Sequence, residues 1–345
     1  MVKVCVIGHF AFGENLLNGQ TVKTKIVATE LERQLGSPEI RQIDTHGGIK
    51  SLPKTVCKLI CAFVQCKNII IMPAQNGLKV FAPLCTVINK IFNRKLHYVV
   101  IGGWLPEYLE SEPKLKSCVS KLDAVYVETH NMKMKLNQMG LRNVTVMPNC
   151  KNLNIVDSLD VFDKPYKLCT FSRVMREKGI EDAVNAVKYA NEALGEEYYN
   201  LDIYGQIDAN QKQWFEDLSK KLPSYVRYGG VVSFDNTTDV LKRYFALLFP
   251  TFYEGEGFAG TAIDAFAAGV PVIASDWKYN SEIIQNGRNG KLFPPKDYKK
   301  LAEILIDFAK NPNTCYSMRP QCISDAHSYK PEVVLKVLFD NLDLQ

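Results

Sequence analysis

A glycine-rich loop runs into a short apolar helix in Glu254-Gly-Glu-Gly-Phe-Ala-Gly-Thr-Ala-Ile-Asp264-Ala-Phe-Ala-Ala-Gly-Val-Pro-Val-Ile-Ala-Ser-Asp276. The apolar run at 245–250 precedes it and has the length and composition of a buried strand. A second such run, 270–274, follows Gly269, a residue type that commonly ends helices. Strand, loop, helix and strand in this order predict one βαβ unit of a parallel sheet.

The glycines and acids of this loop indicate which ligand it binds. Gly255, Gly257 and Gly260 let backbone N–H groups approach an anion closely, and a helix N-terminus favours negative charge. Glu256 and Asp264, with seven residues between them, would repel that anion, so hydroxyl groups on the same ligand explain them better. Since a diphosphate flanked by two polyols meets both requirements, the loop predicts a nucleotide-sugar site.

Composition is typical of a globular protein of about two domains, with 345 residues, 46% hydrophobic and 23% charged. No uninterrupted apolar run reaches the roughly 20 residues that span a bilayer, and the strand-like residues 1–7 are too short for a signal peptide. The cysteines lie mostly in apolar segments, so we expect reduced core thiols and a cytoplasmic protein. Cys57, Cys61 and Cys66 lack a second ligand pair at metal-binding spacing and are also predicted to be core thiols.

Strand-like runs alternate with amphipathic helices along the chain, which predicts two doubly wound, Rossmann-like α/β domains. The periodicity is lost at 151–165, so residues 1–160 are assigned to an N-terminal domain and residues 161–330 to a C-terminal one. Residues 331–345 are predicted to form a helix that packs back on the first domain, and 106–121 another helix. We expect the two domains to face each other across a cleft at their strand carboxyl ends, where open sheets bind ligands.

Positive charge is concentrated in the first domain: residues 1–160 carry +8 and residues 161–345 carry −3. Residues 45–106 contain no acidic side chain. Two segments there mix basic and apolar residues, namely Leu52, Lys54, Lys58, Leu59, Cys61 and Phe63, and then Ile88, Lys90, Ile91, Phe92, Arg94 and Lys95. Basic amphipathic helices bind anionic membranes, so we expect peripheral membrane contact, with a solvated basic face as the alternative. The modest charge and the lack of a recognised motif predict no nucleic-acid partner.

Four segments of the second half carry a resemblance to a known family. They are Ser172-Arg-Val-Met-Arg-Glu-Lys-Gly179, Tyr204-Gly-Gln206, Gly229-Gly-Val-Val-Ser-Phe234 and the stretch from Glu256 to Asp264 with Gly269-Val-Pro-Val-Ile-Ala274. On these segments the chain resembles the retaining nucleotide-sugar glycosyltransferases of the GT-B fold with the E-x7-E signature, the glycosyl transferases group 1. The resemblance is strong over 165–295 and weaker over 1–160.

The resemblance implies roles for residues of the second domain. Arg173 and Lys178 would stabilise the departing diphosphate, the first as a bidentate fork and the second as a point charge. Glu256 would contact the donor sugar. Asp264 would hold the ribose, although the family usually has the longer Glu there. The backbone of Gly257, Phe258, Ala259 and Gly260 would line the diphosphate, and Val232 would face the base. The chain has no Asp-x-Asp motif, so no metal is predicted.

Acceptor-side residues are expected in the first domain. The loop after the first strand contains Gly19, which the resemblance places over the donor diphosphate. His9 in the same loop, Trp104 and His130 are acceptor-side candidates, and each has a structural alternative: a hydrogen-bonded histidine, or an indole packed inside the domain. Many relatives carry a histidine where this chain has Gly102-Gly-Trp-Leu-Pro106, so His130 is the better histidine candidate.

These observations predict a metal-independent, retaining glycosyltransferase that moves a sugar from a nucleotide diphosphate to a hydroxyl of a glycan or lipid-linked glycan. UDP-sugars are favoured over GDP-sugars, and no cofactor is expected. A nucleotide-sugar 2-epimerase of the same fold and a non-catalytic nucleotide-sugar binding protein are the alternatives. An NAD-dependent oxidoreductase is disfavoured, because no G-x-G-x-x-G follows either first strand. The sequence leaves the sugar, the acceptor, the linkage and the oligomeric state open.

Overall fold

Two compact units make up the chain in a computed structural model. The structure describes residues 2–14, 19–233 and 236–344, apart from the side chains of 48–52. One unit contains Met1–Asn152 with Lys330–Gln345, and the other contains Leu153–Tyr329. Each unit is built around one six-stranded parallel sheet, which confirms the predicted pair of doubly wound α/β domains.

The N-terminal unit has the strand order β2-β1-β3-β4-β5-β6. Its strands are β1 Val2–Gly8, β2 Ile40–Asp44, β3 Cys66–Met72, β4 Lys95–Val99, β5 Ala124–Val127 and β6 Val144–Val146. Its helices up to β6 are α1 Gly19–Leu35, α2 Gly48–Gln65, α3 Gln75–Phe92, α4 Leu105–Glu110, α5 Pro113–Val119 and α6 His130–Gln138. The strand order reverses at β1, so a ligand of this sheet is expected at the carboxyl ends of β1 and β3.

The C-terminal segment completes the core of this unit. Val334, Leu335 and Leu338 are buried in one cluster with residues of β1 and α1. The Asn68 side chain donates to the Asp343 carbonyl at 2.7 Å and accepts from the Asp343 N–H at 2.9 Å. The segment forms two short helices, α15 Pro331–Val334 and α16 Lys336–Phe339, rather than one, because the Leu338 N–H bonds to the Leu335 carbonyl only three residues back.

The C-terminal unit has the strand order β12-β11-β10-β7-β8-β9. Its strands are β7 Tyr166–Phe171, β8 Tyr199–Tyr204, β9 Val226–Gly230, β10 Ala246–Phe249, β11 Val272–Ser275 and β12 Gly290–Phe293. Its helices are α7 Ile180–Leu194, α8 Lys212–Ser219, α9 Thr237–Leu241, α10 Gly260–Ala267, α11 Asn280–Ile283, α12 Tyr298–Lys310, α13 Asn313–Tyr316 and α14 Arg319–His327. The order reverses between β7 and β10, and the carboxyl ends of such a pair are where open sheets bind ligands, so we call this the binding edge.

The cysteines only partly follow the prediction of core thiols. Cys66 is buried, but Cys57 and Cys61 are exposed and form no disulfide. They lie on α2, whose opposite face places Leu59 and Phe63 in the core, so the helix turns the two thiols outward. Of the helices that the structure describes, none is long and apolar enough to cross a membrane.

Candidate donor site at the strand ends of the C-terminal unit

Lys178 is brought to the end of β10 by a tight backbone approach. It ends the 3₁₀ turn Arg176–Lys178 that follows β7, and the next residue, Gly179, has φ +70°. A Cβ atom at Gly179 would lie 2.1 Å from the Pro250 carbonyl oxygen, so only glycine allows the two chain segments this close. The glycine thereby fixes the lysine next to the loop that follows β10.

Glu256 receives two polar partners from this arrangement. The Lys178 ammonium lies 2.6 Å from Glu256 Oε2, and the Thr251 hydroxyl donates to the same oxygen at 2.7 Å. The side chains of Lys178 and Glu256 are only 12% and 10% exposed. The rings of Tyr253 and Phe249 lie 5.1 and 5.5 Å from the ammonium. A buried carboxylate and a buried ammonium therefore neutralise each other at the binding edge.

Arg173 lies on the same edge but points toward solvent. Its guanidinium is 3.6 Å from Asp208 Oδ2, and 56% of the side chain is exposed. The backbone just before Arg173 packs closely against Gly205, where an added Cβ would lie 1.7 Å from the Ser172 carbonyl oxygen. A guanidinium this exposed retains donors for an incoming anion.

The loop 257–259 leads to the N-terminus of α10. Ala259 precedes the helix and supplies no side-chain cap. The Ala262 N–H bonds the Ala259 carbonyl at 3.0 Å, so the N–H groups of Gly260 and Thr261 are the first-turn donors that could reach a ligand. Thr261 anchors the helix start, because its hydroxyl donates to the Phe171 carbonyl at 2.8 Å. The Phe258 ring packs edge-on against Tyr329, with ring centroids 5.2 Å apart, so its side chain belongs to the core. Gly257, Phe258, Ala259 and Gly260 can thus contribute through their backbone.

The two predicted residues for the nucleoside lie in different environments. Asp264 is buried in the second turn of α10, 7% exposed. Val232 is half-buried in the segment after β9. Phe234, which the resemblance includes in the base-facing loop, lies outside the described residues.

Thr251 and Tyr253 were not predicted as site residues. Thr251 is fully buried, and its carbonyl accepts a hydrogen bond from the Ser275 hydroxyl at 2.5 Å. A polar residue two positions beyond a buried strand is the signal that points to Thr251, because strand carboxyl ends form the binding edge. Nothing in the sequence pattern singles out Tyr253.

The acceptor-side candidates of the N-terminal unit lie at its own strand ends. His9 Nδ1 is 2.8 Å from the Thr21 hydroxyl, and His9 Nε2 is 3.1 Å from Nδ1 of His46, a residue the sequence did not single out. Asp44 holds both loops by accepting backbone N–H bonds from Phe10 and His46 at 2.9 Å. The two imidazoles are therefore fixed as a hydrogen-bonded pair.

The remaining candidates of this unit have different surroundings. The Trp104 indole donates to the Ile101 carbonyl at 2.8 Å, and its half-buried ring packs edge-on against Tyr108 at 5.5 Å. His130 is exposed at the first residue of α6. Gly19 is the exposed first residue of α1. In the ranges 2–14, 19–233 and 236–344, no three His, Cys, Asp or Glu side chains are grouped as metal ligands.

Comparison with known proteins identifies a matching family and solved structures with a similar fold. The family described as "Glycosyl transferases group 1" matches residues 153–326. The GtfA subunit of the UDP-N-acetylglucosamine–peptide N-acetylglucosaminyltransferase from Streptococcus gordonii is 29% identical over 289 residues, which cover 79% of this chain and 54% of that protein. The chain spans between 32% and 54% of the length of three such GtfA subunits.

Two solved structures share the fold over nearly the whole chain. The Anabaena Alr3699/HepE structure in complex with UDP has a TM-score of 0.75 and 14% identity, covering 98% of both chains. Sucrose-phosphate synthase from Thermosynechococcus elongatus has a TM-score of 0.78 and 17% identity, covering 99% of this chain and 98% of that one. These neighbours confirm the predicted GT-B fold class.

Proposed function

The chain belongs to the glycosyl transferases group 1 family, and from this premise we propose that it transfers a sugar from a UDP-sugar to a hydroxyl of a glycan or lipid-linked glycan. The family membership makes it a glycosyltransferase. The nucleotide is proposed because the GtfA relative is named for UDP-N-acetylglucosamine and the Anabaena neighbour binds UDP. The acceptor is proposed from the sequence resemblance, and the GtfA relative's own named acceptor is a peptide.

The diphosphate would be neutralised by side chains and backbone rather than by a metal. Arg173 would present its exposed guanidinium, and the first-turn N–H groups of α10 would face the phosphate oxygens. Lys178 has three N–H donors and uses one on Glu256, so it can add a phosphate contact without leaving its partner. Positive charge at the leaving group lowers the barrier to breaking the anomeric C–O bond.

The sugar and the ribose would be held by the two acids of the signature. Glu256, fixed by Lys178 and Thr251, would accept hydrogen bonds from hydroxyls of the donor sugar. Asp264 would accept bonds from the ribose hydroxyls. A carboxylate with fixed partners keeps its orientation as the sugar develops oxocarbenium character.

The transfer itself would retain the anomeric configuration. The acceptor oxygen would form the new bond to the anomeric carbon on the face that the diphosphate leaves. The acceptor proton would pass to the departing phosphate oxygen, so no dedicated protein base is required. His9 and His130 are therefore proposed as acceptor contacts. We place the reaction in the cytoplasm, at the membrane face when the acceptor carries a lipid.

The single observation that carries the proposal is the buried cluster that Lys178 and Thr251 form with Glu256, the first acid of the signature. The test is incubation with a panel of UDP- and GDP-sugars and glycan acceptors, with release of the nucleotide and product mass followed together. We expect UDP release and an acceptor heavier by one sugar, both lost in Glu256→Gln. A sugar epimerised on its nucleotide would favour the 2-epimerase instead, and nucleotide binding without turnover would favour the binding protein.

A further inference from the structure

Helices α2 and α3 of the N-terminal unit expose apolar side chains that sugar transfer does not use. On α2, Ile60 is 44% exposed and Val64 is 53% exposed. On α3, Val87 is 61% exposed and Ile91 is 80% exposed. The positions repeat at intervals of four residues on each helix, so each helix presents an apolar stripe to solvent.

The two stripes lie side by side where the helices end. The Arg94 guanidinium, just after α3, donates to the Phe63 carbonyl at 2.8 Å and to the Val64 carbonyl at 3.3 Å. The rings of Phe63 and Phe92 are 6.1 Å apart. These contacts bring the ends of α2 and α3 together, and with them Val64 and Ile91. We call this surface the α2–α3 face; it comprises Cys57, Ile60, Cys61, Val64, Val80, Val87 and Ile91.

Packing of the core does not account for this face. Leu59 and Phe63 of α2 and Phe81 and Cys85 of α3 already supply the buried positions. The sequence pattern placed Leu59 and Phe63 on the membrane-binding side, and the structure corrects this, since both are fully buried. A second apolar surface outside the core of a folded unit indicates an interaction site.

The exposed lysines on these two helices include three without an acidic partner. Lys54, Lys58 and Lys90 are exposed on the same two helices. None of these three ammonium groups has a carboxylate partner within the described part of the chain, whereas Lys79 and Lys95 pair with acids of other elements. The charge that is not paired within the chain is therefore positive and complements an anionic surface.

We propose that the α2–α3 face docks on the surface of a membrane containing anionic phospholipids. Aliphatic side chains surrounded by lysines match the acyl and headgroup layers of such a surface. The central part of a protein–protein interface is instead depleted of lysine, so a membrane fits this composition better. The inference uses none of the donor-site residues and goes beyond the proposed sugar transfer.

Flotation of the full chain with phosphatidylglycerol–phosphatidylcholine vesicles tests the docking. We expect binding that falls with salt and is lost on phosphatidylcholine alone. Val87→Ser combined with Ile91→Ser should weaken it about tenfold or more. Lys58→Gln and Lys90→Gln should each weaken it about fivefold. The matched controls are Val161→Ser, at 84% exposed, and Lys212→Gln, at 72% exposed in its side chain, both in the other unit.

The two exposed thiols report which surface touches the lipid. We expect Cys57 and Cys61 to react more slowly with a water-soluble maleimide when anionic vesicles are present. Unchanged labelling, or binding that survives the Val87→Ser and Ile91→Ser changes, would overturn the proposal. A dimer that forms without vesicles and dissociates on the same two changes would also overturn the proposal, since a second copy of the chain would then cover the face. UDP binding without vesicles should be equal in all variants, which separates this test from that of the donor site.

Discussion

The Lys178 ammonium lies 2.6 Å from Glu256 Oε2, although the two residues are 78 positions apart in the chain. The Thr251 hydroxyl donates a hydrogen bond to the same carboxylate oxygen at 2.7 Å. Because both charged side chains are about nine-tenths buried, each depends on the other for a counter-charge. The pair therefore links the stability of the C-terminal unit to the geometry of its proposed donor site.

Removing one charge of this pair should destabilise the protein more than removing both. Glu256→Gln leaves the Lys178 ammonium buried without its counter-ion, so we expect the free energy of unfolding to fall by about 3 kcal/mol. Lys178→Met added to Glu256→Gln should recover part of that loss. Chemical denaturation of the two single variants and the double variant gives the coupling. Strictly additive losses would show that the two charges do not stabilise each other.

The Thr251 hydroxyl should matter for turnover. Thr251→Val keeps the shape of the side chain but removes a hydrogen bond to a charged group, which is worth about 1.5–3 kcal/mol. We expect kcat/KM for the donor to fall about tenfold. Thr86→Val is the control, because the Thr86 hydroxyl bonds the Ala82 carbonyl within α3 of the other unit. Equal losses in the two variants would contradict a positioning role for Thr251.

Gly179 should tolerate no side chain. A second glycine, Gly195, shows whether the close contact or the backbone conformation is the cause. Gly179→Ala places a Cβ 2.1 Å from the Pro250 carbonyl oxygen, whereas Gly195 has a similar φ of +73° and no neighbour within 4 Å. Gly195→Ala should therefore cost only the left-handed strain of about 1–2 kcal/mol. We expect a much larger fall in melting temperature for Gly179→Ala, with loss of UDP binding. Similar falls in melting temperature for the two variants would mean that the left-handed backbone conformation alone explains the need for glycine.

Acid should destabilise the N-terminal unit through His97. Burial lowers the pKa of His97 to about 4 from its ordinary 6.5, so the folded state holds this imidazole neutral. Between pH 6.5 and about 4, His97 is therefore protonated in the unfolded chain and neutral in the folded one. Stability from this group is complete above pH 6.5 and is lost as the pH falls toward 4, by up to about 3 kcal/mol. His97→Gln should flatten the pH dependence of the unfolding free energy over this window, and an unchanged slope would contradict the assignment.

The sequence predicts the fold where strands are continuous apolar runs, as in β10 and β11, which follow the predicted runs 245–250 and 270–274. The edge strand β2 has no such run, because four of its five residues are half-buried and three of them are polar, so the sequence pattern gives no signal for it. The sequence pattern also joins α4 and α5 into one helix over 106–121. The residue before Pro113 has ψ +70°, outside the helical region, which breaks the periodic pattern at that point.

The site is predictable in its residue types but not in its contacts. Glycines and acids in one loop indicate the ligand class, and the resemblance assigns Arg173 and Lys178. The pairing of Lys178 with Glu256 depends on how β7 and β10 lie side by side, which no local pattern encodes. His46 was missed for the same reason, since its contact with His9 joins two strand ends 37 positions apart.

Calorimetric titration with UDP, using two neighbouring arginines, tests the proposed donor site most directly. Arg173 and Arg176 are 56% and 57% exposed and lie three positions apart, but only Arg173 is assigned to the diphosphate. We predict that wild type and Arg176→Ala bind UDP alike. Arg173→Ala should bind about ten- to a hundredfold more weakly, the equivalent of one charged hydrogen-bonded contact of about 1.5–3 kcal/mol. Equal affinities in all three proteins, or no UDP binding by the wild type, would contradict the donor site described above.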